Sequence, residues 1–241
     1  MKTVWFASFA AVSLLTLSAC GGSDGGDPPK QNDFDKGSVV NNGTGGGDGG
    51  SATEAPFKSY DYPPGPYGTK VDSIIAPLDL LGWKKPAEKG YDAAQFEPIN
   101  IAEYYNPDGK KSVKLLWINS SAVWCGPCNA EYAQLRDENI YATDIAPKGV
   151  EIIGTLMENG ANPPGPATPV NLTAWGKKYE VAFPLALDPA FKIAAYFEQA
   201  TVPGGLLVDT KTMKIVAKLA GGAVTGSGGV LQEIDAALAN L

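Results

Sequence analysis

An α/β sandwich around a mixed β-sheet is the fold class this sequence predicts, on three observations. Residues 113–118 form a largely apolar run of strand length, interrupted only by Lys114, residues 129–141 repeat apolar positions at a helical period (Ala130, Tyr132, Ala133, Leu135, Ile140), and residues 150–157 are a second strand-like run. The chain thus begins its core with a β-α-β unit. Further on, residues 205–208 and 214–219 read as strands paired across the turn Asp209-Thr210-Lys211-Thr212, followed by a helical stretch over 230–241. A hairpin adds antiparallel strands, so the sheet is mixed. Residues 57–241 also have the length and ordinary apolar fraction of one domain with a single core.

In chain order, residues 1–19 come first and read as an export signal. Lys2 supplies positive charge, residues 4–17 are apolar over a length typical of signal peptides rather than of a membrane span, and Leu17-Ser18-Ala19-Cys20 ends the stretch with small residues. Those four residues resemble the lipobox of bacterial lipoproteins, and the resemblance implies that Cys20 becomes the lipidated first residue of the mature chain. Acyl chains on Cys20 would hold the protein at a lipid bilayer, since each buried methylene contributes about 0.8 kcal/mol. Ordinary cleavage would instead leave a free thiol in an oxidising compartment. Gly21 occupies the position where an Asp would signal inner-membrane retention, which leans toward the outer membrane. Residues 20–56 are dominated by Gly, Asp, Asn and Ser, too polar to build a core. They are expected to act as a tether with a reach of roughly 30 to 35 Å. Tyr60-Asp61-Tyr62-Pro63-Pro64-Gly65-Pro66-Tyr67 then reads as an extended lead-in packed on the domain, or as a recognition segment.

The remaining elements follow the core βαβ unit. Residues 159–169 are a Pro/Gly-rich loop, either slack or an insertion over the site, and residues 172–179 and 189–197 read as helices. The net charge of −7 becomes −8 once the single positive charge of Lys2 leaves with the signal. Such a balance disfavours a nucleic-acid partner. The chain has no His and three Cys, one of them distant at Cys20, so a four-ligand zinc site is disfavoured and no metal or cofactor is expected.

The chemistry concentrates at Trp124-Cys125-Gly126-Pro127-Cys128, directly after the first strand of the βαβ unit. Two cysteines three apart at a helix entrance share one face, with Cα atoms roughly 5 Å apart, inside the disulfide range. Unpaired N–H groups and the macrodipole at the entrance favour a thiolate on Cys125, the expected attacking sulfur. Cys128, one turn further in, is placed to resolve a mixed disulfide. Pro127 suits the first turn, where no N–H is needed, and Gly126 leaves room for a substrate backbone. An inert structural disulfide is the alternative, although so short a loop constrains the unfolded chain little.

With these residues in view, the chain from about residue 70 onward resembles the thioredoxin superfamily, and within it the TlpA/ResA-like thiol-disulfide oxidoreductases. Leu116-Trp117-Ile118-Asn119 before the pentapeptide, Phe183-Pro184-Leu185 with Asp188, and Thr201-Val202-Pro203 before Leu206-Leu207-Val208-Asp209 carry the resemblance. It implies a thioredoxin-like sandwich with extra N-terminal strands around 76–83 and 99–112. It also implies that Pro203 is a cis-proline facing the cysteines and that the Val202 backbone pairs with an extended substrate. Glu131 matches a glutamate lining the site, where it would raise the thiol pKa or relay a proton to Cys128; a helix-start acid that complements the dipole is the alternative. Trp124 would offer substrates an apolar contact, or simply pack. Ser120, Ser121 and Ala133 depart from the family pattern.

The resemblance implies a reductase of disulfides in exported proteins, supplied by a membrane electron donor. The Gly-Pro dipeptide, Asn119 and a negative Glu131 point to the reducing direction. A peroxiredoxin-type peroxidase is the competing enzyme, although Ala122 and Ile118 stand where its Thr or Ser and its Pro would be. A binding lipoprotein on the same fold is the non-enzymatic alternative.

Overall fold

The computed structural model describes residues 61–197 and 201–241, so the export signal, Cys20 and the whole of the expected tether lie outside the described residues. Within the described residues seven strands form one mixed sheet: β1 (Asp79–Trp83), β2 (Glu97–Asn100), β3 (Leu115–Ala122), β4 (Val150–Glu158), β5 (Leu185–Leu187), β6 (Gly204–Asp209) and β7 (Lys214–Ala220). Their spatial order is β2-β1-β5-β4-β3-β6-β7. β3, β4 and β5 run parallel, while β1, β2, β6 and β7 join by antiparallel pairing. Three helices, α1 (Gly126–Asp137), α2 (Pro169–Lys178) and α3 (Val230–Leu238), complete the thioredoxin-like sandwich. Among the described residues no helix is long and apolar enough to cross a membrane.

β3 shows why the sheet lies at the centre. All eight of its residues are buried, and successive side chains alternate between two cores. Leu115 and Trp117 join Tyr132, Leu172, Trp175 and Ile234 on the side of the helices. Leu116 and Ile118 join Ile99, Ile153, Leu206 and Ile215 on the other. α1 packs closely enough on β4 that a Cβ at Gly154 would lie 2.3 Å from the Tyr132 hydroxyl oxygen, so only glycine fits there. The lead-in packs on the domain: the Tyr62 hydroxyl donates to the Ile75 carbonyl at 2.7 Å, and its ring stacks edgewise on Tyr105.

Some element boundaries differ from expectation. The helix predicted over 189–197 is reduced to one short turn at Ala194–Tyr196. The Asp188 carboxylate accepts from the Lys192 and Ile193 N–H groups, and Phe191 adopts a positive φ of 56°, which interrupts regular helix. The strand expected within 99–112 lies earlier, at Glu97–Asn100, because the Asn100 side chain caps a tight turn by accepting from the Ala102 N–H. β5, with only three residues, carries too little pattern to predict.

Candidate active site

β3 ends at Ala122 and delivers the pentapeptide to the start of α1. Cys125 is the N-cap, with extended backbone angles, and its sulfur accepts the Cys128 N–H at 3.1 Å. Cys125 and Cys128 form a disulfide with Cα atoms 5.3 Å apart. Both cysteines are buried, whereas Gly126 and Pro127 between them are exposed and Trp124 is 49% exposed. A partner therefore meets the Trp-Gly-Pro surface first and must reach the sulfurs past it.

Beneath the disulfide lies a buried polar chain. Cys128 and Glu131, three apart on α1, share a helix face. The Glu131 carboxyl accepts the Asn119 amide N–H at 2.6 Å, and the Asn119 amide oxygen accepts the Ser121 hydroxyl at 2.8 Å. Thr155 fixes the same strand position by donating to the Asn119 carbonyl at 2.9 Å. Burial pushes the Glu131 carboxyl up to about 8, and the Asn119 bond offsets that only in part. Burial thus favours the protonated carboxyl, against the expectation of a negative charge beside the cysteines. Its sequence position as an early helical acid gave no sign of this, because the cause is burial to 3% exposure.

The Val202–Pro203 peptide is cis. Pro203 is buried and immediately precedes β6, whose first residue Gly204 pairs with Ser120 near the end of β3. Val202 is half-buried and packs against the core cluster that contains both cysteines. Topology thus brings Trp124, Cys125, Cys128, Glu131, Val202 and Pro203 to one end of the sheet.

Two further residues shape the site and carry no motif. Asn129 donates from its amide to the carbonyls of Cys125 at 2.7 Å and Val123 at 3.2 Å, while its oxygen accepts from Lys178 Nζ at 2.9 Å and from the Tyr179 hydroxyl. It fastens the active-site turn to the end of α2. Glu158, last in β4, accepts the Trp124 indole N–H at 2.8 Å, and its carbonyl accepts the Val123 N–H at 3.0 Å. The loop after it is not slack. Asn159 accepts from the N–H groups of Ala161 and Gly165, and the Ala167 N–H returns to the Met157 carbonyl at 2.9 Å.

A family model described as AhpC/TSA matches residues 84–217, more than half of the chain and the whole span that holds this site. The chain belongs to the AhpC/TSA family. This AhpC/TSA-family chain is 29% identical over 108 residues to the thiol-disulfide oxidoreductase ResA of Bacillus cereus, a match covering 45% of the chain and 56% of that relative. It thus spans little more than half the length of the curated relative. Two solved structures share its fold at a TM-score of 0.51. One is a hypothetical protein of Sinorhizobium meliloti 1021, 19% identical over 71% of this chain and 85% of that one. The other is an uncharacterized conserved protein of Geobacillus kaustophilus, 15% identical over 72% and 84% of the two chains.

Proposed function

We propose that this protein is a lipid-anchored, extracytoplasmic thiol-disulfide oxidoreductase that reduces disulfides of exported proteins. The observation that carries the reading is the Cys125–Cys128 disulfide closed across the N-terminus of α1, with the Cys128 N–H on the Cys125 sulfur and a buried carboxyl one turn below. The N–H that meets the sulfur in the disulfide would stabilise it as a thiolate.

In the reduced enzyme the Cys125 thiolate attacks one sulfur of a substrate disulfide, forming a mixed disulfide and expelling one substrate thiolate, which takes a proton from water. The Cys128 thiol then gives up its proton and attacks the Cys125 sulfur. That closes the enzyme disulfide and releases the second substrate thiolate. Two electrons pass to the substrate, and a dithiol donor at the membrane must return two. Glu131 takes the Cys128 proton only in its ionised form: with the carboxyl pushed up to about 8, near an ordinary thiol at about 8.5, the fraction that has released its own proton accepts that of Cys128 at little free-energy cost. Asn119 and Ser121 orient that carboxyl. Trp124, Gly126, Pro127 and Val202 are assigned to the substrate backbone and side chains, and Pro203 to the wall beside the sulfurs. Lipidation at Cys20 would keep the domain at the bilayer, with the outer membrane favoured.

The residues ahead of Cys125 do not favour a peroxidase, since Ala122 and Ile118 are buried strand positions that offer no hydroxyl. A Cys128→Ser variant tests the reading. It should accumulate a mixed disulfide through Cys125 with exported proteins, identified by mass spectrometry after non-reducing capture. Adducts only with small thiols, or none, would refute it.

A further inference from the structure

β3 and β4 end, β6 begins and β7 ends at the same side of the sheet, with Ser120 and Ala220 both paired to Gly204. The described segments there, 123–125, 159–168, 201–203 and 221–229, contain no Asp, Glu, Lys or Arg. Among the described residues beside them, Glu158 is engaged with the Trp124 indole and Lys178 with Asn129. Residues 159–167 stand beside the cysteines as a stitched hairpin. The Asn159 N–H donates to the Gly165 carbonyl at 2.8 Å, Glu158 bridges to Pro166, and Gly160 lies so close to Val123 that a Cβ would come within 3.1 Å of its methyl. The tip, Ala161 to Pro164 in sequence, is exposed and uncharged, and Trp124 is held half-exposed at its base.

We propose that the 159–167 hairpin and Trp124 form a docking wall that selects extended polypeptide segments with apolar residues beside their disulfide. The proposal rests on the reductase reading above and names the substrate class of that site. A wall without charge gains nothing from a charged partner and must desolvate its charges, whereas an apolar side chain placed on an indole and prolines is removed from water at no such cost. The carboxylate under Trp124 fixes the indole plane, so the contact surface exists before the partner arrives.

The test compares disulfide-linked peptides whose cysteines are flanked by Leu and Phe, by Lys, or by Glu, with oxidised glutathione as the small disulfide. For the wild-type protein, kcat/KM for the Leu/Phe peptide should exceed both charged peptides by about tenfold, and those two should agree within about twofold. In the double variant Ala161→Glu, Pro164→Glu, the ratio of kcat/KM for the Leu/Phe peptide to that for glutathione should fall by about fivefold or more. Equal turnover of the three peptides, preference for a charged one, or an unchanged ratio in the variant would overturn the wall while leaving the reductase reading intact. Failure to reduce any disulfide, glutathione included, would overturn that reading and the wall with it.

Discussion

Where β3, β4, β6 and β7 meet the cysteines, the described residues bordering those strand ends (123–125, 159–168, 201–203 and 221–229) carry no charge; at the other end of the same strands the turns are crowded with it. There Lys114 and Lys148 precede β3 and β4, and Asp209 and Lys211 occupy the β6–β7 turn. They line a cavity of about 540 Å³ together with Asn106 and Thr210. The two ends also bury polar groups differently. At the charged end Asn106 and Thr210 are satisfied by main-chain groups of the turn itself, including the Val113 carbonyl that both side chains meet. At the redox end the buried groups are side chains bonded to one another, Glu131 to Asn119 to Ser121. One end is built to hold a turn together, the other to hold a titratable carboxyl in a dry place.

The largest test of that contrast removes chemistry from each end in turn. Cys125→Ser should lower disulfide reduction by on the order of 10³-fold or more, since Cys128, the other described thiol, is fully buried one turn inside α1. Lys114→Ala and Lys211→Ala at the far end should leave kcat/KM within about twofold. An insulin-reduction assay with a dithiol donor reads both. A tenfold loss in either lysine variant would break the comparison, because it would bring the charged end into the reaction.

A second test concerns the dry carboxyl. Glu131 has a folded pKa raised to about 8 from an unfolded value near 4.3, so between those values the folded protein holds a proton that the unfolded chain has released. Its stability is then fully present below about pH 4 and falls as pH rises toward 8, by up to about 1.4 kcal/mol per pH unit and a few kcal/mol in all. Glu131→Gln removes the titration. Urea unfolding of the oxidised protein at pH 5 and pH 8 should show the wild type losing stability relative to the variant. The same proton appears in the midpoint potential. A thiolate formed beside Glu131 raises its pKa further, so above about pH 8 reduction takes up an extra proton, adding up to about 30 mV per pH unit to the slope. A slope identical in Glu131→Gln would mean that the carboxyl does not sense the disulfide.

How far this site was legible in the sequence depends on what signals each part. Cys125, Cys128 and their place at a helix entrance follow from spacing and from the strand before them, since local geometry alone brings the sulfurs together. β3, β4 and α2 were likewise readable from apolar runs and helical period, whereas the 189–197 helix was not. There Asp188 reaches back to two backbone N–H groups, a competition with helix that periodicity cannot display. The protonated Glu131 was illegible because its cause is three-dimensional: the acid is polar in sequence and dry only after α1 packs on β3 and β4. Asn129 and Glu158 were missed for the same reason, as each bonds to groups tens of residues away.

The smallest effect separates the two ends by their response to salt. Asn129 bonds to two carbonyls of the active-site turn and receives two donors from α2 and the residue after it. Truncation to Ala strands those partners, one of them the hydroxyl of buried Tyr179, and should cost about 1 to 3 kcal/mol. Because neutral hydrogen bonds supply most of that, the loss should persist in high salt. Lys148, near the far cavity, instead pairs with Asp235 at 2.5 Å, with 35% and 58% of the two side chains exposed. Exposed pairs contribute about 0 to 1 kcal/mol and are screened. Lys148→Ala should therefore cost less than about 1 kcal/mol at low salt and close to nothing once the Debye length shrinks to about 3 Å near 1 M. Urea titrations of both variants at the two ionic strengths decide it. An Asn129→Ala penalty that vanishes with salt would show that Lys178, the one cation in its network, carries the tether, and that the redox end leans on charge after all.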